Sequence, residues 1–417
     1  MLLLSLLLIF LSERTAKMFT DLGFDISIPR IIIFSVSILL LYLLLIKKTR
    51  LNRSTLANKV GGCLIIFSLL SLVSSSLTPD AIYSLKRWLH FLSLCLPIIL
   101  ICFFLPKSKW NQPNHSLKVH STVLSSVKLS IIILFVFFIY QQLTHDFLDR
   151  NEYRTLFGIE FYRINSLFPD PNFLGVFLSF CAPFFTPAKL SQLRRKRNLL
   201  YLVLIIYMLI FSGSRGGILA AAAGALFKIL LSSQNFNFTK KSILYSATFI
   251  PIILLSYSFF GFSDLVEGLY KHDDESLSGL SRAISWYAGL NAFIQNPLLG
   301  IGPGNFVTLD KSSFIASGVI EDWRLKNLEG LAAHSNYLEI LTSTGSLGFI
   351  SWLLFNVYLT KLIATQSKAF DYSIPLGSAI LSFNIACALV SYFPVWYFLS
   401  IAIYILTIMR PARTGST

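Results

Sequence analysis

Long apolar runs dominate this chain and constrain its fold more than any other feature. They recur at roughly 17–22 residues, the length that an α-helix needs to cross a bilayer. Because backbone groups in lipid must be hydrogen-bonded within their own segment, the runs predict helices. Only 13% of the residues are charged, against about a quarter in soluble domains. The sequence therefore predicts an all-α, polytopic membrane protein, with residues 1–417 forming a single integral membrane domain.

The runs predict about twelve membrane helices. The first lies in the N-terminal MLLLSLLLIFLSERTAKMF. A secretory signal peptide is the alternative, but a basic start and a small-residue cleavage site are not clear there. The longest polar interval, 261–344, predicts a large external loop between helices 9 and 10. The other predicted spans are 30–46, 60–77, 88–105, 123–140, 167–186, 198–211, 218–231, 243–260, 346–363, 374–391 and 394–409.

The placement of the basic residues predicts the orientation. If the N-terminus is cytoplasmic, the short cytoplasmic loops hold 20 Lys and Arg, and the longer loops on the other side hold 14. A basic excess in short loops is typical of the cytoplasmic side, so both termini are predicted to be cytoplasmic. Residues 261–344, 141–166 and 212–217 then face outward. In this setting the net charge of +15 predicts contact with anionic membrane lipids and not with nucleic acid.

Neither the cysteines nor the acidic residues indicate a metal site. The cysteines lie in apolar runs without CxxC spacing, which favours buried, inert thiols over disulfides or zinc. The cluster HDDE at 272–275 could ligate a metal, but adjacent acids in a long polar loop are usually solvated and ligand spacing is missing. No metal and no cofactor are predicted. The cysteines are Cys63, Cys95, Cys102, Cys181 and Cys387.

The motif SGSRGG at 212–217 joins two apolar runs on the predicted outer side. An arginine at a membrane boundary is costly unless it is paired or hydrated. The glycines allow another group to approach closely. Backbone N–H groups at the start of the next helix, beside the guanidinium of Arg215, suit a phosphate oxygen. A tight turn with Arg215 reaching the lipid headgroups explains the motif equally well.

Arg282 follows Ser281, which we predict to cap a helix that ends near Gln295. This prediction puts Arg282 in the first helical turn, where a cation is unfavourable with respect to the helix dipole. A bound anion would resolve the conflict, and a diphosphate suits the bidentate grip of arginine. Taken alone, a solvated surface arginine is the simpler interpretation.

His334 lies in the segment AHSNYLEIL at 333–341. In helical register it shares a face with Tyr337, while Glu339 points elsewhere. A histidine near an acid or an amide can serve as general base for a sugar hydroxyl. A hydrogen-bonded histidine that closes a loop is the more common case. Asn336 and Tyr337 are predicted to line the substrate site.

Residues 163–172, RINSLFPDPN, lead into the next predicted helix from the outer side. Two prolines break helical structure and could leave carbonyls and Asn172 lining a cavity. A plain helix start is the alternative, because proline is favoured in the first turn. Arg163 and Asn172 are predicted to line the substrate site.

Taken together, these motifs resemble the O-antigen ligase and polymerase superfamily of bacterial envelope glycosyltransferases. The resemblance covers roughly residues 150–400. One departure is that Ser335 separates His334 from Asn336, where many relatives have His-Asn directly. The motifs are R-x-x-S-x-F-x-x-PN from Arg163 to Asn172, SGSRGG, the helix with Arg282, NPLLGIGPGNF at 296–306 and AHSNYLEIL.

The resemblance implies a GT-C-like, metal-independent enzyme of the bacterial inner membrane. Such enzymes take a glycan from undecaprenyl diphosphate at the outer face and join it to an acceptor hydroxyl. The acceptor is lipid A–core in the ligase and another lipid-linked repeat unit in polymerases. Carried over by motif, Arg215 and Arg282 would bind the diphosphate and stabilise its leaving charge, and His334 would orient or deprotonate the acceptor. The motifs do not separate ligase from polymerase.

Two other classes stay open. A multi-pass transporter fits the number of spans, but transporters typically have internal repeats and paired broken helices at the membrane midplane. Here the polar groups cluster outside one face of the membrane. In a structural membrane scaffold, Arg215, Arg282 and His334 would be dispensable.

Overall fold

The protein is described here from a computed structural model. The structure describes residues 50–51, 55–105, 113–144, 153–156, 159–168, 170–187, 196–232, 274–309, 333–366, 373–387 and 394–408. Over these ranges the chain forms ten α-helices, one short 3₁₀ helix at Asn305–Thr308 and two pairs of short strands. The helices are α1 Thr55–Leu77, α2 Ala81–Phe103, α3 Pro113–Thr144, α4 Pro171–Phe185, α5 Lys196–Ser212, α6 Arg215–Ser232, α7 Asp274–Gln295, α8 Asn336–Gln366, α9 Ile374–Ala386 and α10 Val395–Ile408.

The helices confirm the polytopic membrane class. Five of them, α1, α2, α3, α6 and α8, are long and apolar enough to cross a membrane, and α4, α5 and α9 are shorter apolar helices. Two predicted ends agree with the structure, since α1 ends at Leu77 and α9 begins at Ile374. Others differ, because α2 begins at Ala81, before its predicted start at 88, and α8 begins at Asn336, before its predicted start at 346. The helix α3 begins at Pro113, well before the predicted start of its span at 123. The N-terminal helix and the spans 30–46 and 243–260 lie outside the described residues.

The sequence analysis predicts no strands, but two antiparallel strand pairs occur, and β2 falls at the end of the predicted span 88–105. Strand β1 at Arg50–Leu51 pairs with β2 at Phe104–Leu105, which follows α2 directly. Strand β3 at Tyr153–Leu156 pairs with β4 at Ile159–Tyr162, between α3 and α4. The second pair leads straight into Arg163, which precedes the start of α4 at Pro171.

The described helices pack in two groups. In one group α1 packs on both α2 and α8, and α10 packs on α2; in the other, α4, α6 and α9 pack on one another, with α5 against α4. Contacts between α9 and α10 join the groups. Stacked rings of Phe383 and Tyr397, with centroids 4.0 Å apart, lie at this junction. All five cysteines are buried and free, which confirms their predicted burial.

Small residues allow α4, α6 and α9 to approach one another closely. A Cβ added to Gly217 on α6 would lie 2.8 Å from the backbone of Gly175 on α4. From α9, Ser382 Oγ donates to the carbonyl oxygens of Ala220 at 2.7 Å and Ser179 at 3.0 Å. Small residues and interhelical serine hydrogen bonds are typical of helix association in membranes. The three helices therefore form one closely packed group.

The predicted topology makes α6 and α9 antiparallel, so the start of α6 and the end of α9 are expected at one end of the bundle, which we call the loop end. Ser382 on α9 lies opposite Ala220 on α6. Arg215 precedes Ala220 by five residues, and Cys387 follows Ser382 by five residues. At 1.5 Å per residue each lies about 7.5 Å beyond the serine contact. With α6 and α9 antiparallel, we therefore expect Arg215 and Cys387 at a similar level of the bundle.

Candidate functional site

Arg215 is the first residue of α6 and is exposed at the loop end. The turn before it is shorter than the predicted 212–217: α5 continues to Ser212, Gly213 adopts a φ of +61°, and α6 begins two residues later. Ser214 caps the new helix, because its Oγ accepts a hydrogen bond from Gly217 N at 3.2 Å. One of the helix-start N–H groups proposed to meet a phosphate is thus already used by the chain, and the guanidinium of Arg215 remains the main cationic group of the turn.

Arg163 lies across this turn and is buried, with 7% of its surface exposed. Its Nε donates to the carbonyl oxygen of Ser212 at 3.0 Å, and its Nη2 donates to Oδ1 of Asn172 at 3.2 Å. A Cβ on Gly213 would lie 3.1 Å from Arg163 Nε, so glycine gives the arginine room. The structure therefore brings together two of the predicted substrate-lining residues, Arg163 and Asn172, and joins both to the SGSRGG motif.

The segment before α4 forms a plain helix start, which is the simpler of the two predicted alternatives. Pro171 is in the first turn, and Asp170 caps the helix by accepting from Asn172 N at 2.6 Å. This is a capped helix start of the usual kind. The side chain of Asn172 is nevertheless directed to Arg163. Asn172 thus has a positioning contact, and its role as a substrate-lining residue stays a prediction.

Gln141, near the end of α3, is a site-forming residue that the sequence analysis missed. Its Nε2 donates to Asn165 Oδ1 at 3.0 Å, and its Oε1 accepts from Ser166 N at 2.7 Å. Ser166 has a φ of +52° and donates from Oγ to the carbonyl oxygen of Leu134. The hydrogen bonds of the buried Gln141 amide stabilise a backbone conformation that serine rarely adopts. A glutamine at the end of an apolar run was the available signal.

Arg282 is not in the first turn of its helix, contrary to the prediction. The helix α7 begins at Asp274, so Ser281 is an interior residue and Arg282 lies in the third turn. The dipole argument for an anion at Arg282 is therefore wrong, because the effect falls off within the first turn. The predicted end at Gln295 is confirmed. Half-buried Arg282 is one turn before Trp286, whose Nε1 donates to the carbonyl oxygen of Ala333 at 2.7 Å.

His334 precedes α8 and is not part of it, so the predicted helical register with Tyr337 is wrong. Its φ of +51° places it in the left-handed region, and α8 begins at Asn336. Ser335 caps α8: its Oγ accepts from Leu338 N at 3.4 Å. The half-buried His334 is thus held between the Trp286–Ala333 hydrogen bond and a capped helix start, which brings it close to the face of α7 that contains Arg282.

Asn336 and Tyr337 attach this segment to the loop end of α9. Asn336 N donates to the carbonyl oxygen of Cys387 at 2.9 Å, and Tyr337 Oη donates to the carbonyl oxygen of Asn384 at 3.2 Å. Because Cys387 is expected at the level of Arg215, the start of α8 is expected at that level as well. The antiparallel arrangement of α6 and α9 in the predicted topology would therefore bring Arg215 and His334 to the same end of the bundle.

The Gly/Pro turn after α7 fills a break in α8. Gly345 has φ +65° and ψ −169°, so the helix is interrupted there. The carbonyl oxygens of Thr342 and Ser343 accept from Ile301 N at 3.0 Å and Gly302 N at 2.9 Å. From the far side of the break, Ser346 N donates to the carbonyl oxygen of Pro297 at 2.8 Å. The turn thus satisfies the freed backbone groups and ties α7 to α8.

The described residues contain no group of three or more His, Cys, Asp and Glu side chains placed to hold a metal ion. His272 and Asp273, which begin the predicted HDDE cluster, lie outside those residues. The arrangement at the loop end is instead one of cations, an imidazole and amides. Such groups bind anions and move protons.

In the comparison with protein families, residues 200–353 match the family model described as O-antigen ligase. This interval includes Arg215, Arg282 and His334, and it excludes Arg163 and Asn172. A comparison with curated proteins gives no match. The family match confirms the resemblance to the O-antigen ligase and polymerase superfamily and supports an enzyme of that type, acting on lipid-linked glycans in a membrane.

Proposed function

We propose that the protein transfers a glycan from undecaprenyl diphosphate to an acceptor hydroxyl at the outer face of the bacterial inner membrane. The observation that supports this most directly is the O-antigen ligase match over residues 200–353, which includes both candidate cations and the candidate base. The ligase, with lipid A–core as acceptor, is our first choice. A polymerase that extends a lipid-linked repeat unit is the alternative within the same superfamily.

The proposed reaction breaks one bond and forms one. The acceptor oxygen bonds to the anomeric carbon of the glycan, and the bond from that carbon to the diphosphate breaks. His334 accepts the hydroxyl proton, and the leaving diphosphate keeps the electron pair. Arg215 and Arg282 stabilise the charge that develops on it, which is usually the largest catalytic term. No metal or cofactor is required in this scheme.

We further propose that the loop end faces outward and that both termini are cytoplasmic. The excess of Lys and Arg in the short loops supports this orientation. It would place Arg215 near the diphosphate of a donor whose lipid chain lies in the outer leaflet. A GT-C-like arrangement of the helices is part of the same proposal.

The first experiment compares Arg282→Ala, Arg215→Ala and His334→Ala in cells that lack the native gene. Each variant should abolish surface glycan while its protein level stays unchanged. Lys86→Ala is the matched control, because Lys86 is an exposed cation near the start of α2. Wild-type glycan in the three variants would overturn the catalytic assignment and favour a scaffold.

Gene deletion separates the two enzymes of the superfamily. Loss of a ligase should leave free lipid-linked polymer and bare lipid A–core. Loss of a polymerase should leave core bearing a single repeat unit. The electrophoretic pattern of the surface polysaccharide distinguishes these outcomes.

The hypothesis of a multi-pass transporter has less support than either enzyme. The break at Gly345 is the one described feature that transporters share, since their sites often lie at broken helices. Here the turn at 297–302 occupies the break and hydrogen-bonds its carbonyls. A single closed break of this kind does not provide a substrate site, so the transporter is not our choice.

A further inference from the structure

The helix α7 exposes an apolar stripe. Tyr287, Leu290 and Ile294 lie on one face at spacings of three and four residues, and Leu298 continues the stripe in the turn after the helix. Their exposed fractions are 55%, 42%, 72% and 62%. The opposite face of α7 is already buried, and the helix packs on α8. Its buried residues include Ile284, Ala288 and Ala292.

This stripe is continuous with the outward face of α8. Leu347 N donates to the carbonyl oxygen of Leu298 at 3.3 Å, so the two apolar surfaces join there. Leu347 is itself exposed and begins a second row of exposed apolar residues along α8, which also includes Ile350, Leu354 and Val357. Because α8 is long and apolar enough to cross a membrane, that row faces acyl chains.

We propose that α7 lies in the membrane interface, with Tyr287, Leu290, Ile294 and Leu298 among the acyl chains of the leaflet that α8 enters. An exposed stripe that meets a lipid-facing surface without a gap is covered most simply by the same lipid. Tyrosine, which has an apolar ring and a polar tip, is typical of this depth.

The other faces of α7 fit the same orientation. Asn291 and Gln295 are exposed and lie along one edge of the stripe, where they would face headgroups and water. Trp286 lies toward Ala333, to whose carbonyl oxygen it donates, and Arg282 is one turn before it on the same side of the helix. The helix therefore is not part of a water-exposed loop, and Arg282 is held at the depth of the lipid phosphates. This inference concerns the placement of α7 and does not depend on the proposed reaction.

The test places a bimane fluorophore at single introduced cysteines of the full chain in phosphatidylcholine vesicles. The positions are Leu290→Cys and Ile294→Cys on the stripe, Gln295→Cys on its polar edge and Ile350→Cys on α8 as the lipid-facing reference. The five native cysteines are buried, and the unsubstituted protein gives their background labelling. Each sample is measured with brominated acyl chains in the vesicles and, separately, with iodide in the water.

Brominated lipid should reduce the fluorescence of the probe at residues 290 and 294 as strongly as at residue 350. Iodide should quench the probe at residue 295 several-fold more than the probes at residues 290, 294 and 350. Iodide quenching at 290 and 294 equal to that at 295, without quenching by brominated lipid, would overturn the proposal. Protection from both quenchers would also overturn it, since a protein partner or a second copy would then cover the stripe. If one stripe variant is not recovered, Tyr287→Cys reports on the same face.

Discussion

Arg163 donates from Nη2 to Oδ1 of Asn172 at 3.2 Å, and the same guanidinium donates from Nε to the carbonyl oxygen of Ser212 at 3.0 Å. A single buried cation thus links the first turn of α4 to the turn between α5 and α6. Both contacts are made within the protein, so Arg163 holds the segment that presents Arg215. Lysine could not reproduce this geometry, because it has a single donor nitrogen at the end of a flexible chain.

Arg163→Lys should lower the free energy of unfolding by about 2 kcal/mol, since hydrogen bonds to a buried charged group are lost while the charge remains buried. Chemical denaturation in detergent micelles measures the change. Arg87→Lys is the matched control: Arg87 is exposed and donates to Tyr83 one turn away. The control should change stability by less than about 0.5 kcal/mol. Equal losses in the two variants would show that Arg163 has no special structural role.

Gly217→Ala should increase the distance between α4 and α6. Its Cβ would lie 2.8 Å from the backbone of Gly175, and backbone atoms cannot move aside as a flexible side chain can. We expect a loss of about 1–3 kcal/mol, typical of overpacking, together with reduced glycan transfer because Arg215 shifts with its helix. Thermal unfolding and surface glycan are the two measurements.

Gly62→Ala is the control for this substitution. Gly62 lies inside α1, and an added Cβ meets no heavy atom within 4 Å. Alanine should be neutral there or stabilise the helix by up to about 1 kcal/mol. If Gly217→Ala is as stable as Gly62→Ala, the close approach of α4 and α6 does not matter for the fold.

The apolar runs predicted the presence of membrane helices in the described part of the chain, because crossing a bilayer requires mainly an apolar composition and sufficient length. They did not predict the ends, since α2 and α8 begin at Ala81 and Asn336, ahead of the predicted spans. The local signals failed where the chain is held by distant partners. His334 takes a left-handed conformation although a histidine in AHSNYLEIL reads as helical, and the segment is fixed by Trp286 and Cys387. No local pattern encodes these partners. The start of α7 was placed too late because Ser281 is a good cap in principle and an interior residue in fact.

The break in α8 was missed for the same physical reason. Gly345 occurs as one glycine at the start of an apolar run, and a single glycine is tolerated within helices. The interruption depends on the backbone of residues 297–302, which supplies the hydrogen-bond partners on both sides. Motif order identified the participating segments, but only their three-dimensional contacts relate the Gly/Pro turn to α8.

Gly345→Ala should be among the most damaging single-methyl changes in the chain. A φ of +65° with ψ near 180° is accessible essentially to glycine, and the new Cβ would meet the carbonyl group of Leu298. We expect a loss of about 3 kcal/mol or more, combining backbone strain with the clash. The fraction of monodisperse protein after size-exclusion chromatography and the midpoint of thermal unfolding report it. A stable, monodisperse variant would mean that α8 can run straight.

The cysteines should resist labelling in the folded protein. All five are buried and free, so a maleimide should react with almost none of them in detergent or lipid and with all five after denaturation. Mass spectrometry counts the modified thiols. Reducing agent should leave the unfolding midpoint unchanged, and a shift toward lower temperature on reduction would contradict the assignment of free thiols.

Trp286→Phe tests whether the contact between α7 and the segment before His334 serves transfer as well as stability. The substitution keeps an aromatic ring but removes the hydrogen bond from Nε1 to Ala333, which is 2.7 Å long. Trp88→Phe removes a comparable indole bond, 2.8 Å to Ser68, between α1 and α2. Each variant should lose about 1 kcal/mol of stability. Only Trp286→Phe should also lower kcat, by about tenfold, because a small displacement of a catalytic group is costly. Equal activity of the two variants in a reconstituted transfer assay would limit Trp286 to a structural role.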